Sequence, residues 1–365
     1  MSDSTKNECK DRIEIHAESD EDVMTWTEPR YSKNAVGKAG KTLVDPGSEE
    51  EYAQALIVVN NWRASHACPL NSLQSSLRYR AQRINSEPLV SQRLKRVPSI
   101  KGKLGRSVGM QLDRMQDIGG CRAILPTVRD VYSLRDMMIE TPLRSPLSRK
   151  YDYIETPKLS GYRGIHLIYR FQGKIHSAHN GLLIEVQLRS VIQHAWATSV
   201  EIAGAFLGDS LKSGEGSSEW LRFFNLVSTL FATLENCALK DGEESKAWTV
   251  KQEVIDLENK LNIINQLQAF SVVAEESGSI DVPDGYFLLT LKINERRVSI
   301  THYLKENLDF ATETYLKLEE EYGNSNVNIV LVAAKSIAIL KKSYPNYFAD
   351  SQIFLDTLAQ ALKES

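Results

Sequence analysis

The stretch LLIEVQLRS, residues 182–190, constrains this chain more than any other. Side chains of a strand point alternately to two faces. One face is then Leu182, Ile184, Val186 and Leu188, which has to be buried. The other carries Glu185, Gln187 and Arg189 in a row. A carboxylate and a guanidinium on a strand whose reverse is core are costly unless each finds a partner. The segment therefore asks for a sheet with one buried face and one polar working face. The plain alternative is a strand with its polar side in solvent. GIHLIYRF, residues 164–171, alternates in the same way, and pairing through the link GKIHSAHNG brings His166 and Arg170 alongside.

Two further segments belong with this face. MQDIGGCRAIL puts Asp117 ahead of a glycine pair and a buried strand, with Arg122 on that strand's polar side. One acid at a strand start and another in mid-strand, at Asp117 and Glu185, suit Mg²⁺, which prefers few carboxylates, several waters and phosphate oxygens. RLKRVPSIKGKL puts Arg93 and Lys95 on one side of an extended stretch, and Ser99 and Lys103 on one face of a helix opened by Pro98. Four phosphate-binding groups so close together fit a triphosphate. A basic, solvated helix is the plain alternative.

Charge is distributed unevenly. Residues 75–150 carry 16 Lys/Arg against 6 Asp/Glu, whereas residues 241–365 carry 12 against 20. The first block attracts polyanions and the last is a partner for the first. No apolar run approaches the roughly 18 residues of a membrane span. The first residues are polar and acidic, unlike a secretory signal, so a cytoplasmic protein without membrane association is expected. The four cysteines are far apart and form neither a disulfide framework nor a zinc pattern.

Along the chain, residues 1–25 read as a disordered acidic leader. SEEEYAQALIVVNNWRASHA (48–67) is a helix with Ser48 before a glutamate-rich first turn, and 69–84 is a second helix with arginines on its polar side. A strand at 121–128 leads into a helix at 129–140. Residues 191–239 are helical with a Gly/Ser-rich break at 213–219. A long amphipathic helix (247–270), strands at 286–294 and 296–304, a helix at 306–322, a strand at 326–334 and terminal helices follow. The expected units are the leader 1–25, a domain at 26–240 and a compact α/β domain at 241–365.

RxKxxxSxxxK, DIGGxR, DYIxxPKxxGYRxIH and ExQLR, in that order from about Arg78 to Glu201, resemble the motifs of the RelA/SpoT nucleotidyltransferase superfamily. The resemblance implies an α+β fold: a mixed β-sheet flanked by helices, transferring pyrophosphate from ATP to a ribose hydroxyl. It implies Arg93, Lys95, Ser99, Lys103 and Arg122 as ATP-binding, and Asp117 and Glu185 as Mg²⁺ ligands, with Glu185 activating the hydroxyl. Gln187 and Arg189 complete the catalytic strand. Lys158, Tyr162 and His166 form the acceptor loop, with Tyr162 exposed so that a purine stacks on it.

There is little room upstream for a His-Asp hydrolase domain, and the tail is long for a small alarmone synthetase. YSKNAVGKAGKTL with NNWRASHACPLN resembles the leader of stand-alone RelA/SpoT toxins. YPNYFAD, with Tyr344 and Tyr347, resembles the C-terminal pseudo-zinc-finger-like domain of CapRel-type fused toxin–antitoxins. That resemblance implies a tail that silences the ATP site and an acceptor that is the 3′ CCA end of tRNA. It also implies release by a phage protein, typically the major capsid protein, for abortive-infection defence. Arg78, Arg80, Arg144, Arg149 and Lys150 are the expected contacts to tRNA phosphates. The competing acceptor is a free nucleotide, giving the alarmones (p)ppGpp or (p)ppApp. A third reading, a catalytically dead binding module, is disfavoured by the intact Asp117 and Glu185.

Overall fold

Helix signals in the sequence become capped helices in the structure. The Ser32 and Ser48 hydroxyls accept the Ala35 and Glu51 amides, starting α1 (Lys33–Val44) and α2 (Glu49–Ala64). α3 (Ala67–Gln82) follows almost at once. The computed structural model describes residues 26–140, 143–207, 211, 217–239, 247–269, 273–276, 284–322, 327–334, 336–348 and 350–363, so the acidic leader lies outside them.

Next come β1 (Leu89–Leu94), α4 (Val97–Arg106), β2 (Gly119–Leu125), α5 (Val128–Glu140), β3 (Leu147–Asp152), β4 (Ile165–Arg170) and β5 (Leu183–Ser190). The five strands form one mixed sheet in the order β1-β2-β5-β4-β3, with β2 and β5 parallel and the other pairs antiparallel. The back face is core. Ile184, Val186 and Leu188 pack with Ile165, Leu167, Tyr169, Cys121 and Ala123 under Leu70, Leu73 and Leu77 of α3 and Val131 and Leu134 of α5. Gly119 is required at the start of β2, because a Cβ there lies 2.9 Å from Ile184 Cδ1 and 3.3 Å from His66 Cβ. β3 was not expected. LSRKYD is polar at most positions, and its burial is low because it is an edge strand.

Helices α6 (Val191–Leu207) and α7 (Ser218–Leu234) follow β5. The expected long helix at 247–270 is two, α8 (Ala247–Leu261) and α9 (Ile263–Ala269), broken at Asn262, whose φ of 52° is left-handed. β6 (Val273–Glu276), also unforeseen, β7 (Gly285–Lys292), β8 (Arg297–Leu304) and β9 (Val327–Ala334) make a second sheet, ordered β6-β8-β7-β9, and α10 (Leu308–Glu321) links β8 to β9. Short helices α11 (Ile337–Ser343) and α12 (Pro345–Phe348) and the longer α13 (Gln352–Lys363) close the chain.

The boundary drawn at residue 240 does not separate two cores. Trp196, Phe223, Phe224 and Phe231 of α6 and α7 share one cluster with Val250 and Val254 of α8, Ile263 and Leu267 of α9, and Phe354 and Leu358 of α13. The bidentate Arg222–Glu253 pair ties α7 to α8 at the surface. The tail thus contributes part of its residues to the hydrophobic core of the preceding segment and part to its own sheet.

Candidate active site

The strand registers lay two rows of residues across the front face of the first sheet. One row runs Arg93, Gly120, Glu185, Ile168, Arg149 from β1 to β3. The next runs Ser91, Arg122, Gln187, His166, Tyr151. Gly120 stands between Arg93 and Glu185, and its missing side chain leaves the floor open between a cation and a carboxylate. The expected face is therefore assembled as drawn, with Arg170 as the exception: it is exposed at the strand end and reaches the Gly181 carbonyl.

Glu185 is the point on which a closed ring of hydrogen bonds converges. His166 Nδ1 lies 2.8 Å from Oε1, and Gln187 Nε2 donates to Oε2 at 2.6 Å. Arg189 Nη2 donates to Gln187 Oε1 at 3.1 Å, and Arg189 Nε to the Tyr162 hydroxyl at 3.2 Å. That hydroxyl lies 2.6 Å from His166 Nε2. Every atom is satisfied when His166 carries its proton on Nδ1, so that the phenol donates to Nε2 and the imidazole to Glu185. Burial disfavours the Glu185 carboxylate, but the His166 contact outweighs it and holds Glu185 below its ordinary range. Asp117 acts the other way on Glu185, which places the two acids within electrostatic reach.

Asp117 is gripped from both sides. Lys95 Nζ donates to Oδ2 at 2.8 Å and Lys103 Nζ to Oδ1 at 2.9 Å. Burial opposes its ionisation, but the two ammonium groups prevail and keep it far below the usual carboxylate range. Lys103 is on α4, as is Ser99, and Lys95 sits between β1 and α4. Arg93, Lys95 and Lys103 thus gather around one carboxylate, and burial together with Arg189 lowers Arg122 to about 10.

The tail lies against this cationic side. The Tyr344 hydroxyl donates to the Gln92 carbonyl of β1 at 2.7 Å. Arg122 Nη2 donates to the Ser343 carbonyl at 2.7 Å, and its guanidinium sits 5.9 Å from the Tyr344 ring centre. Tyr347 and Tyr344 are both buried, and both act electrostatically on Arg93. One turn away, Glu319 of α10 accepts the Val97 amide at the start of α4 and pairs with buried Arg63 of α2 at 2.9 Å. Arg63 also donates to the Tyr315 hydroxyl and the Lys95 carbonyl, and Arg96 to Asn328 of β9. No role for Arg63, Tyr315 or Glu319 was legible in the sequence: Arg63 lies in NNWRASHACPLN, outside the basic block, and the only signal for Glu319 is the acidic charge of the tail.

Tyr162 corrects an expectation. It is 6% exposed, not an open stacking surface. Gly161, at φ 90° and pressed against α7, turns the loop inward, and the ring packs on Trp196 while its hydroxyl serves the Glu185 ring. Lys158 covers the rings of Tyr153 and Tyr162, with Nζ 4.4 and 5.1 Å from their centres. Gln187 and Arg189 brace Glu185 and Tyr162, and Arg189 is fully buried behind them.

The expected RNA-contacting cations do not form one surface around Glu185. Arg78 and Arg80 are on α3, behind the sheet, and Arg80 is buried with Nη1 on the Ser76 carbonyl. Arg144 lines a cavity of about 380 Å³ with Trp26, Asn71, Lys174 and His176, also beside α3. Lys150 pairs with Leu167 and so points to the back, whereas Arg149 pairs with Ile168 and points to the front. Helix α3 stands on the back face because its apolar stripe, not its arginines, decides which way it packs.

Comparison with known proteins bears on this region. Residues 92–203 match the family model described as "Region found in RelA / SpoT proteins". The chain is 32% identical over 111 residues to GTP pyrophosphokinase YjbM of Bacillus subtilis, covering 30% of this chain and 52% of that protein. It is 30% identical over 113 residues to GTP pyrophosphokinase YwaC of the same organism, 29% of this chain and 52% of the relative. It thus spans about half the length of these curated relatives. The small alarmone synthetase 1 structure from Bacillus subtilis bound to pppGpp aligns with a TM-score of 0.42 at 22% identity, over 48% of this chain and 94% of that one. The family-model match runs from β1 into α6 and so takes in Arg93, Asp117, Arg122, His166, Glu185 and Gln187.

Proposed function

We propose that this chain is an ATP-dependent pyrophosphotransferase whose C-terminal portion holds the donor side closed. The observation that carries the reading is Glu185: ionised, hydrogen-bonded on both oxygens, and in one row with Gly120 and Arg93 inside the RelA/SpoT region. The ATP phosphates would lie over Arg93, Lys95, Ser99, Lys103 and Arg122. Asp117 and Glu185 fit Mg²⁺ in donor chemistry, being two carboxylates of which Asp117 acts electrostatically on Glu185; in this structure Lys95 and Lys103 hold the oxygens of the first and His166 and Gln187 those of the second. Together with phosphate oxygens they would hold the ion, which when bound neutralises phosphate charge. Glu185 takes the proton of the acceptor hydroxyl. The hydroxyl oxygen bonds to the β-phosphorus of ATP, the bond from that phosphorus to the α-phosphate oxygen breaks, and AMP leaves.

The tail supports a resting, inhibited state. While Tyr344 holds Gln92 and Ser343 holds Arg122, an adenine has no access to the same guanidinium face. The acidic Glu319 sits where α4 presents its N-terminus to phosphate. The acceptor is read as the 3′ CCA end of tRNA, and the tail as a pseudo-zinc-finger-like sensor released by a phage protein in a toxin–antitoxin defence that stops translation. What supports these finer points is the likeness of the leader and of YPNYFAD to CapRel-type proteins. The second reading, synthesis of (p)ppGpp or (p)ppApp, is favoured by the names of YjbM and YwaC.

The test is incubation of the protein and of its Tyr344→Ala variant with γ-labelled ATP and tRNA, GDP or AMP. Label on tRNA, greater in the variant and abolished by Glu185→Gln, supports the proposal. Label only on a free nucleotide replaces the tRNA reading by the alarmone one. Label on no acceptor sinks both.

A further inference from the structure

Helix α7 lies outside residues 92–203, yet it holds the loop that closes the hydrogen-bond ring on Glu185. Two of its side chains serve carbonyls of that loop. Asn225 Nδ2 donates to the Leu159 carbonyl at 2.7 Å, and the buried Ser228 hydroxyl donates to the Gly161 carbonyl. The two residues are three apart and so share one side of the helix. The loop meets them as a tight turn: the Gly161 amide donates to the Lys158 carbonyl at 2.9 Å, and the Lys158 amide to the Tyr162 carbonyl at 3.2 Å. It lies flush on the helix, since a Cβ on Gly161 would come 3.0 Å from Ser228 Cβ and 3.1 Å from Asn225 Cα. Arg163 adds a third tie by donating to the Ala238 carbonyl, just beyond α7, at 2.8 Å.

What these ties hold in place is Tyr162. Its hydroxyl lies 2.6 Å from His166 Nε2 and accepts from Arg189 Nε at 3.2 Å. Its ring rests on Trp196, whose indole N–H donates to the Phe224 carbonyl of α7 at 2.8 Å. A loop displaced by about 1 Å carries the phenol out of hydrogen-bond reach of His166. His166 then loses the donor that keeps its own proton on Nδ1, facing Glu185. Phe223, Phe224 and Phe231 of the same helix pack with Phe354 and Leu358 of α13, so α7 offers the loop a fixed seat. We infer that Asn225 and Ser228 are positioning residues for the transfer reaction. Through the Leu159 and Gly161 carbonyls they set Tyr162, and through Tyr162 they set the imidazole that holds Glu185. The inference rests on the reading of Glu185 as the base in the proposed function.

NMR of the full chain with nitrogen-labelled histidines tests the positioning without any turnover. His166→Gln identifies the His166 signals. Tyr162→Phe, which keeps the ring and removes the hydroxyl, gives the Nε2 shift of an imidazole without its donor. The double variant Asn225→Ala with Ser228→Ala should move Nε2 toward that value. Asn225→Ala alone, at a half-exposed position, should move it part of the way and covers the case in which the double variant does not fold. Arg222→Ala, on the exposed surface of the same helix, should leave it unmoved. In the labelled-ATP assay the double variant should transfer about tenfold to hundredfold more slowly, at unchanged KM for ATP, the size expected when a catalytic group is slightly misplaced. A wild-type Nε2 signal in the folded variants, or a shifted signal with undiminished transfer, overturns the inference. Failure of the wild-type protein to label any acceptor would instead sink the catalytic reading, and the NMR comparison would still decide whether α7 sets Tyr162.

Discussion

Glu185 illustrates how far a single residue's environment decides its chemistry. Removed from water without partners, a carboxylate becomes a weak acid; here His166 and Gln187 reverse the effect. The acid limb of kcat/KM should therefore lie below the ordinary carboxylate range. In His166→Ala burial is opposed by the Gln187 hydrogen bond alone, and the limb should move up; a pH–rate profile reads this. Glu185→Gln should lower turnover by about 10²–10⁴-fold, as expected for a lost general base, while the fold persists by circular dichroism. Asp117 carries a linkage consequence. Its folded-state pKa is held below the ordinary 3.8, so the pairs with Lys95 and Lys103 stabilise the native state above that pH and are lost as pH falls below it. Asp117→Asn should lack this component, so its urea stability relative to wild type should improve between about pH 7 and about pH 3.

At the scale of elements, the contact between α10, α2 and the start of α4 is a buried polar tie between the tail and the phosphate-binding segment proposed above. Arg63 and Glu319 are both nearly buried, at 2% and 9% side-chain exposure, and Glu319 also takes the Val97 amide. Removing one member of such a pair strands the other, a cost of about 3–5 kcal/mol. Glu319→Ala should thus destabilise the protein by an amount in that range in chemical denaturation. It should also raise hydrogen exchange in α4 and α10 together. The elements themselves were read with uneven success. Alternation located β2, β4 and β5 because one face of each is wholly apolar. The edge strand β3 escaped because LSRKYD has no apolar face to betray it, and with it went Tyr151. Asn262 broke the expected long helix because amphipathic spacing persists across a turn that leaves the helical backbone.

For the molecule as a whole, the shared cluster of α6, α7, α8, α9 and α13 makes the tail a structural part of the segment before it. Chain cleavage after residue 240 strips Val254, Ile263, Leu267, Phe354 and Leu358 from Phe223, Phe224 and Phe231. At about 1.5–3 kcal/mol for each large side chain, the loss is comparable to the 5–15 kcal/mol that holds a domain together. The truncated chain should bind a hydrophobic dye and lose cooperative unfolding. Release of the donor side is better produced by Tyr344→Ala, which should retain a single sharp thermal transition and gain ATP affinity by isothermal titration.

Much of the front face was legible beforehand, and the reason is local. A period of two assigns Glu185, Gln187 and Arg189 to one side of β5 whatever else the chain does, and the spacing of Arg93, Lys95, Ser99 and Lys103 survives any packing. What the tertiary structure alone decided is who meets whom over long separations. Tyr162 became a buried hydroxyl donor because Gly161 and α7 fold its loop inward. Arg78, Arg80 and Arg144 fell behind the sheet because the apolar stripe of α3 packs there. Tyr344 met β1, and Glu319 met Arg63, across more than 250 residues of chain. Strand alternation follows from backbone geometry within a few residues, whereas such contacts depend on the packing of the entire core.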